Sequence, residues 1–295
     1  MENELAISIF RPEGTVKAAV FIVHGMEEHH LRYNEFAEYL KARGIGVVTY
    51  DLPGHGKSGS LEDRGWFGDK DGWKNLVESA AKIARLTRSE FPKVPLFAFG
   101  HSMGTMVLRT FLQRYDALID GLILSGAPNY VSAASAGKVI ASTICRIKGN
   151  KGKSKLLDQM ATGGFSKAVK DAATPVDWLS YNEENVQRYI EDPDCGFPFT
   201  ARGYYDLFDG MNQMHDVSAF RCLNPTLPIW LFAGEDDPCI GGEKGFADSV
   251  ETLRRAGYTD ITSTLYAGMR HETLNETDHE TIFKDVYSWI EKHIA

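Results

Sequence analysis

Ser102, a carboxylate within Glu235-Asp236-Asp237, and His271 are the residue types that nucleophilic acyl chemistry needs, at well-separated positions. Ser102 lies in Gly100-His101-Ser102-Met103-Gly104, a G-x-S-x-G run. Such a run presents a serine hydroxyl when it joins a strand to a helix by a sharp turn, with the glycines relieving crowding around the strained residue. The flanks fit: Pro95–Phe99 is a short apolar run, and Met106, Phe111 and Leu112 fall on one helical face downstream. A serine hydroxyl needs a base, and the base needs an orienting acid. Among nine histidines, His271 stands in a loop just beyond the last expected strand, from which it can reach back over a sheet edge. Of the three acids after the preceding strand, Asp237 is furthest along the turn and has its backbone fixed by Pro238, with Asp236 as the alternative.

An acyl-transfer intermediate also needs donors for its oxyanion. The Met103 N–H, at the start of the helix after the nucleophile, supplies one. The second is expected from the loop after an early strand, where Gly25 permits the turn and Met26 presents its amide. His24 reads as a buried imidazole bracing that loop. Two other motifs carry no chemistry. Asp51-Leu-Pro-Gly54-His-Gly56-Lys57-Ser58 lacks the first glycine of a phosphate loop, and Glu27-Glu28-His29-His30 lacks metal-ligand spacing, so no metal and no cofactor are expected.

Those residues require a scaffold of short strands alternating with helices. Strands are predicted at Leu5–Phe10, Ala18–Val23, Gly46–Tyr50, Pro95–Phe99, Gly121–Ser125, Pro228–Ala233 and Thr262–Tyr266. Helices are predicted at Leu31–Arg43, Asp71–Phe91, Met103–Tyr115, Gly242–Ala256 and Asp278–His293. The alternation implies an α/β fold with a mostly parallel sheet covered on both faces. Between Pro128 and about Thr226 the strand rhythm stops, leaving a basic run Arg146–Lys155 and helical segments near Leu156–Met160 and Glu183–Tyr189. This stretch reads as a helical insertion over the carboxyl edge of the sheet, where open α/β folds bind ligands. The 295 residues carry 43% hydrophobic and 24% charged residues and a net charge of −8, which argues against a nucleic-acid partner. Met1-Glu-Asn-Glu-Leu5 does not read as a secretory leader, and no apolar run reaches membrane-span length. Four scattered cysteines suggest free thiols in a reducing cytoplasm.

With these pieces placed, the chain resembles the monoacylglycerol lipase/lysophospholipase branch of the α/β-hydrolase superfamily, grouped with the serine aminopeptidases of the S33 type. The resemblance runs through His24-Gly-Met-Glu-Glu28-His-His-Leu-Arg32-Tyr33, Tyr50-Asp-Leu-Pro-Gly-His-Gly-Lys-Ser-Gly59, Gly100-His-Ser102-Met-Gly104, Gly234-Glu-Asp-Asp237 and Arg270-His271-Glu272. It implies an α/β-hydrolase fold of seven or eight strands, with residues 1–130 and 204–295 as core and 131–203 as a helical cap. It favours Asp237 over Asp236 and makes Gly25, Glu28, Arg32 and His101 supporting residues. The cap then lines an acyl pocket, with Phe165, Trp178 and Leu179 as the expected contacts and Met160, Val169, Val176 and Phe199 as further apolar residues. The implied activity is hydrolysis of monoacylglycerols or lysophospholipids through an acyl-serine. An aminopeptidase or a short-chain carboxylesterase are the alternatives; the former would use Glu183, Glu184, Glu191 or Asp192 to meet a substrate ammonium. The expected partner is a small lipid or ester substrate, with transient contact of the cap with a membrane surface.

Overall fold

The computed structural model describes residues 5–294; residues 1–4, on which the leader reading rests, lie outside that range. Among the described residues seven strands form one sheet: β1 (Ile7–Phe10), β2 (Ala18–Val23), β3 (Ile45–Tyr50), β4 (Leu96–His101), β5 (Gly121–Ser125), β6 (Ile229–Gly234) and β7 (Ile261–Tyr266). Their spatial order is β1-β3-β2-β4-β5-β6-β7, with β1 antiparallel to β3 and every other pairing parallel. Parallel strands buried on both faces read as continuous apolar runs rather than alternating ones, and β2 shows why. All six of its residues are buried. Ala19, Phe21 and Val23 enter one hydrophobic cluster, while Ala18, Val20 and Ile22 enter the other.

Two layers of helices supply those clusters. On one face α2 (Gly72–Glu90), α3 (Met103–Tyr115) and α9 (Gly242–Arg255) contribute residues such as Trp73, Phe111 and Leu253. On the other, α1 (Asn34–Lys41) and α10 (His279–Lys292) contribute Phe36, Leu40, Phe283 and Ile290. The expected elements are all present, with shifted ends. β4 runs two residues beyond Phe99, through His101, so Ser102 follows the strand without an intervening loop. The helix expected from Leu31 opens as a short 3-10 turn, His30–Tyr33, before α1.

The segment between β5 and β6 is more helical than its sequence suggests. It holds α4 (Ala134–Lys148), α5 (Lys155–Ala161), α6 (Phe165–Ala168), α7 (Glu183–Glu191) and α8 (Ala201–His215). α8 packs on α4 and also on α2 and α3 of the core. The basic run is not a free loop. Arg146 and Lys148 lie in the last turn of α4, Lys151 pairs with Asp63, and Lys153 donates to the carbonyls of Arg64 and Pro198.

Candidate active site

Ser102 sits between β4 and α3 at φ 51°, ψ −121°, a conformation a non-glycine residue adopts only when its surroundings enforce it. Its N–H donates to the Ser125 carbonyl at 3.0 Å, pinning the turn to the adjacent strand. Gly104 lets α3 come close behind it: a Cβ there would stand 2.1 Å from the Val23 carbonyl oxygen. The strain is therefore held by strand pairing on one side and helix packing on the other.

Asp237 and His271 leave the ends of β6 and β7, and both are buried. The imidazole Nδ1 and Asp237 Oδ2 lie 2.8 Å apart, and the other carboxylate oxygen accepts from the Cys239 N–H at 2.8 Å. This arrangement holds the tautomer with a proton on Nδ1 and leaves Nε2 for the cavity that His271 shares with Ser102. Burial opposes the charged imidazolium, but the Asp237 carboxylate, reinforced by Cys239, outweighs it and raises the His271 pKa well above the ordinary histidine value. An imidazole so placed can accept a serine proton and be stabilised as it does so. Among the described residues no hydrogen bond joins Ser102 Oγ to His271, and such bonds are often long before substrate binds. Asp236 is exposed and accepts a hydrogen bond from Tyr181 at 3.0 Å, which takes it away from His271. Cys239 is buried, with its thiol pushed up to about 11 mainly by burial.

The loop after β2 brings Met26 to the cavity beside Ser102 and Met103. Gly25 is enclosed there, since a Cβ would lie 2.8 Å from Glu28 Oε1 and 3.1 Å from Ser102 Cβ. Glu28 holds the loop by accepting from the Gly25 N–H at 2.5 Å and the Tyr33 hydroxyl at 2.8 Å. Its other oxygen accepts from Arg32 at 2.8 Å. Arg32 also donates to both oxygens of Glu272, at 2.6 and 2.7 Å, and Glu272 accepts from Asn185 of α7 at 2.7 Å. Burial pushes both glutamates up, but Arg32 overrides it and holds them below the usual carboxylate range. One guanidinium thus ties the Met26 loop to the residue after His271 and, through Asn185, to α7. The Arg270-His271-Glu272 motif marked Glu272 without giving it a role, and nothing local marked Asn185.

His24 has the bracing position expected of it: Leu52 N–H donates to its Nε2 at 2.9 Å, so its Nδ1–H donates to the Gly25 carbonyl at 2.8 Å. His101 is buried with its ring centroid 4.7 Å from that of His271, and burial, with His271 beside it, lowers its pKa to about 4, leaving it neutral. Asp51 closes a tight turn by accepting from the His30 and Lys57 backbone N–H groups at 2.8 and 2.7 Å. Among the described residues, two trios bring possible ligand atoms within 4.8 Å, His29–Asp192–Cys195 and Asp237–Cys239–His271. In both, the histidine and aspartate are already bonded to each other, at 2.9 and 2.8 Å.

The cavity above Ser102 has a volume of about 430 Å³, within the range of small-molecule sites. Phe165, Trp178 and Leu179 line it, as does Met160. The Trp178 and His271 ring centroids are 4.9 Å apart. Phe199 does not line it; it is fully buried against His55, Phe67 and Tyr204, where it packs the segment onto the core. Val169 and Val176 are also absent from the lining. The acids expected to meet a substrate ammonium are elsewhere. Glu183, Glu184 and Glu191 are exposed on α7, and Asp192 is bonded to His29.

A mostly parallel seven-stranded sheet with a strained serine after the central strand β4, an acid after β6 and a histidine after β7 defines an α/β-hydrolase. The chain belongs to the serine aminopeptidase S33 family, whose model matches residues 14–278. It is 25% identical over 294 residues to a monoacylglycerol lipase of Mycolicibacterium smegmatis, covering 98% of this chain and 94% of that one. It is 37% identical over 293 residues to a monoglyceride lipase homolog of Monkeypox virus, covering 95% and 92%. Among solved structures it is similar to a thermostable carboxyl esterase from Bacillus coagulans, with a TM-score of 0.89 and 27% identity over 99% of this chain and 94% of that one.

Proposed function

We propose that this carboxylic-ester hydrolase acts on long-chain monoacylglycerols or lysophospholipids, with Ser102 as nucleophile, His271 as general base and Asp237 as its orienting acid. Ser102 attacks the ester carbonyl as His271 Nε2 takes its proton. The Met26 and Met103 amides hold the oxyanion, and His271 returns the proton to the departing alcohol. Water, deprotonated by the same histidine, then releases the fatty acid from Ser102. Gly25, Glu28, Arg32 and His101 keep the loop and the imidazole in place. The observation that carries the ester reading is the cavity: it is lined by Met103, Met160, Phe165 and Leu207 together with Trp178, all apolar contacts suited to an acyl chain. Of the three carboxyls in the lining, Glu28 and Glu272 are occupied by Arg32 and burial keeps Glu27 protonated at neutral pH, which weakens the aminopeptidase alternative.

Residues 131–203 form the cap in this reading. Val139 and Ile147 on α4 are 67% and 76% exposed, and Leu156 on α5 is 54% exposed, which supports transient contact with a lipid surface. No helix among the described residues is long and apolar enough to cross a membrane. We place the protein in the cytoplasm, where its four unpaired cysteines would stay reduced.

The test is turnover by wild type and Ser102→Ala on 1-oleoylglycerol, oleoyl lysophosphatidylcholine, a short-chain ester and a prolyl arylamide. Ser102-dependent turnover greatest on an oleoyl lipid supports the reading. Preference for the arylamide, or turnover equal in both proteins, overturns it.

A further inference from the structure

Glu27 follows Met26 on the loop beside Ser102 and lines the same cavity. Its Oε1 is enclosed by protein and has no hydrogen-bond partner. Its backbone is at φ 58°, where a residue with a Cβ is disfavoured. What holds that backbone is the Glu27 carbonyl, which accepts from the Gly196 N–H at 2.9 Å and from the Tyr189 hydroxyl at 3.1 Å. Any residue could supply that carbonyl, so the carboxyl group is not what anchors the loop. A buried polar atom without a partner is a cost to folding. Here the cost is borne at the wall of the substrate cavity.

The titratable groups facing Glu27 are Asp158, Lys153, Tyr189 and Tyr204. Each is committed elsewhere. Asp158 accepts from the Tyr204 hydroxyl at 2.6 Å, Lys153 donates to the Arg64 and Pro198 carbonyls at 3.0 and 2.6 Å, and Tyr189 donates to the Glu27 carbonyl. Burial, helped by Asp158 and opposed by Lys153, pushes the Glu27 carboxyl up to about 8. At neutral pH it is a carboxylic acid, offering one O–H donor and one carbonyl acceptor on a residue of the cavity lining.

We propose that Glu27 is a specificity-determining residue that receives the glyceryl headgroup of a monoacylglycerol, its carboxyl donor and acceptor matching two neighbouring hydroxyls. The proposal rests on the lipase reading above and narrows it to a polyol leaving group. A trimethylammonium headgroup has neither donor nor acceptor for such a pair, and a free ammonium calls for a charged carboxylate instead. The acyl chain takes the apolar part of the lining, including Leu207, Phe208 and Met211.

The experiment compares kcat/KM for 1-oleoylglycerol with that for ethyl oleate, in wild type, Glu27→Gln and Glu27→Gly. Glycine relaxes the positive φ, so Glu27→Gly should unfold at the wild-type temperature or above it, and a kinetic change is then not a folding defect. Wild type should prefer the glyceryl ester. That preference should fall about tenfold in Glu27→Gly, the equivalent of losing one or two hydrogen bonds. Glu27→Gln keeps a donor and an acceptor and should stay within about threefold of wild type. The wild-type preference should also decline as pH rises through about 8, where the carboxyl loses its proton, and should stay flat in Glu27→Gln. His271 serves both esters, so its titration cancels in the ratio. An unchanged ratio in Glu27→Gly overturns the proposal, as does a selective loss of oleoyl lysophosphatidylcholine or prolyl arylamide turnover. Equal wild-type cleavage of both oleoyl esters overturns the headgroup assignment alone. Cleavage of neither overturns the lipase reading and this proposal with it.

Discussion

The sheet edge and the segment that covers it solve different problems. At the edge, Ser102, Asp237 and His271 are fixed by local backbone geometry: a strained turn pinned to β5, and a carboxylate whose two oxygens are both occupied. In the segment between β5 and β6, α4 and α5 leave Val139, Ile147 and Leu156 in solvent, and its residues meet the site at scattered points such as Asn185 and Trp178. In the proposed reading the first arrangement sets which bond is broken and the second which molecule arrives. Arg32 joins the two, since Glu28, Glu272 and Asn185 all meet at its guanidinium.

Breaking the edge should have the largest effect. Ser102→Ala is expected to lower kcat by a factor on the order of 10⁶, and Asp237→Asn by about 10⁴, read from steady-state ester hydrolysis with the fold checked by circular dichroism. Asp236→Asn should change kcat less than about threefold, because that carboxylate is exposed and faces Tyr181. His271 must be neutral to act as base, so kcat/KM should rise with pH through its raised pKa. In Asp237→Asn the residual activity should show that limb at lower pH, since the carboxylate that favours the imidazolium is gone.

The link between the two regions comes next. Arg32→Met strands two buried carboxylates and should cost about 3–5 kcal/mol, measured by urea unfolding. In wild type, the folded-state pKa values of Glu28 and Glu272 lie below the ordinary value of 4.5. Their contribution is therefore fully present above that value and is lost as pH falls toward about 2, where Glu272 titrates. Acid unfolding should be steep across that window in wild type and shallower in Arg32→Met.

Changes in the cap should be smaller and should depend on the substrate. Trp178→Ala is expected to raise KM for 1-oleoylglycerol about tenfold and to matter less for a short-chain ester, because it removes acyl contact area. Val139→Glu with Ile147→Glu should lower turnover of lipid presented in vesicles a few-fold while leaving a soluble short-chain ester unaffected.

The same division explains what could be read from the sequence. Gly100–Gly104, His24–Tyr33, Gly234–Asp237 and Arg270–Glu272 are contiguous, and each encodes one turn, so their contents were legible one motif at a time. β4 was placed two residues short because Gly100 and His101 look like turn residues, yet both continue the ladder beside β5. α4 and α8 were missed for a physical reason. α4 is rich in serine, threonine and β-branched residues, and α8 contains Gly203 and Gly210. Those two glycines are there for tertiary contact: a Cβ would stand 2.0 Å from the Gly65 carbonyl oxygen and 2.2 Å from the Trp73 ring. Helix propensity gives no hint of such packing. Asn185 was invisible for the same reason, since its partners are far away in the chain. Phe199, read as an acyl contact, has a composition suited to either role, and only its neighbours assign it to packing.

The most direct test is to stop wild-type turnover of 1-oleoylglycerol with acid in the pre-steady state and map the adduct by peptide mass spectrometry. Oleate bound covalently to Ser102, appearing with a burst of glycerol and absent in Ser102→Ala, is the predicted result. Turnover with no acyl adduct on Ser102, persisting in the alanine variant, would contradict the account.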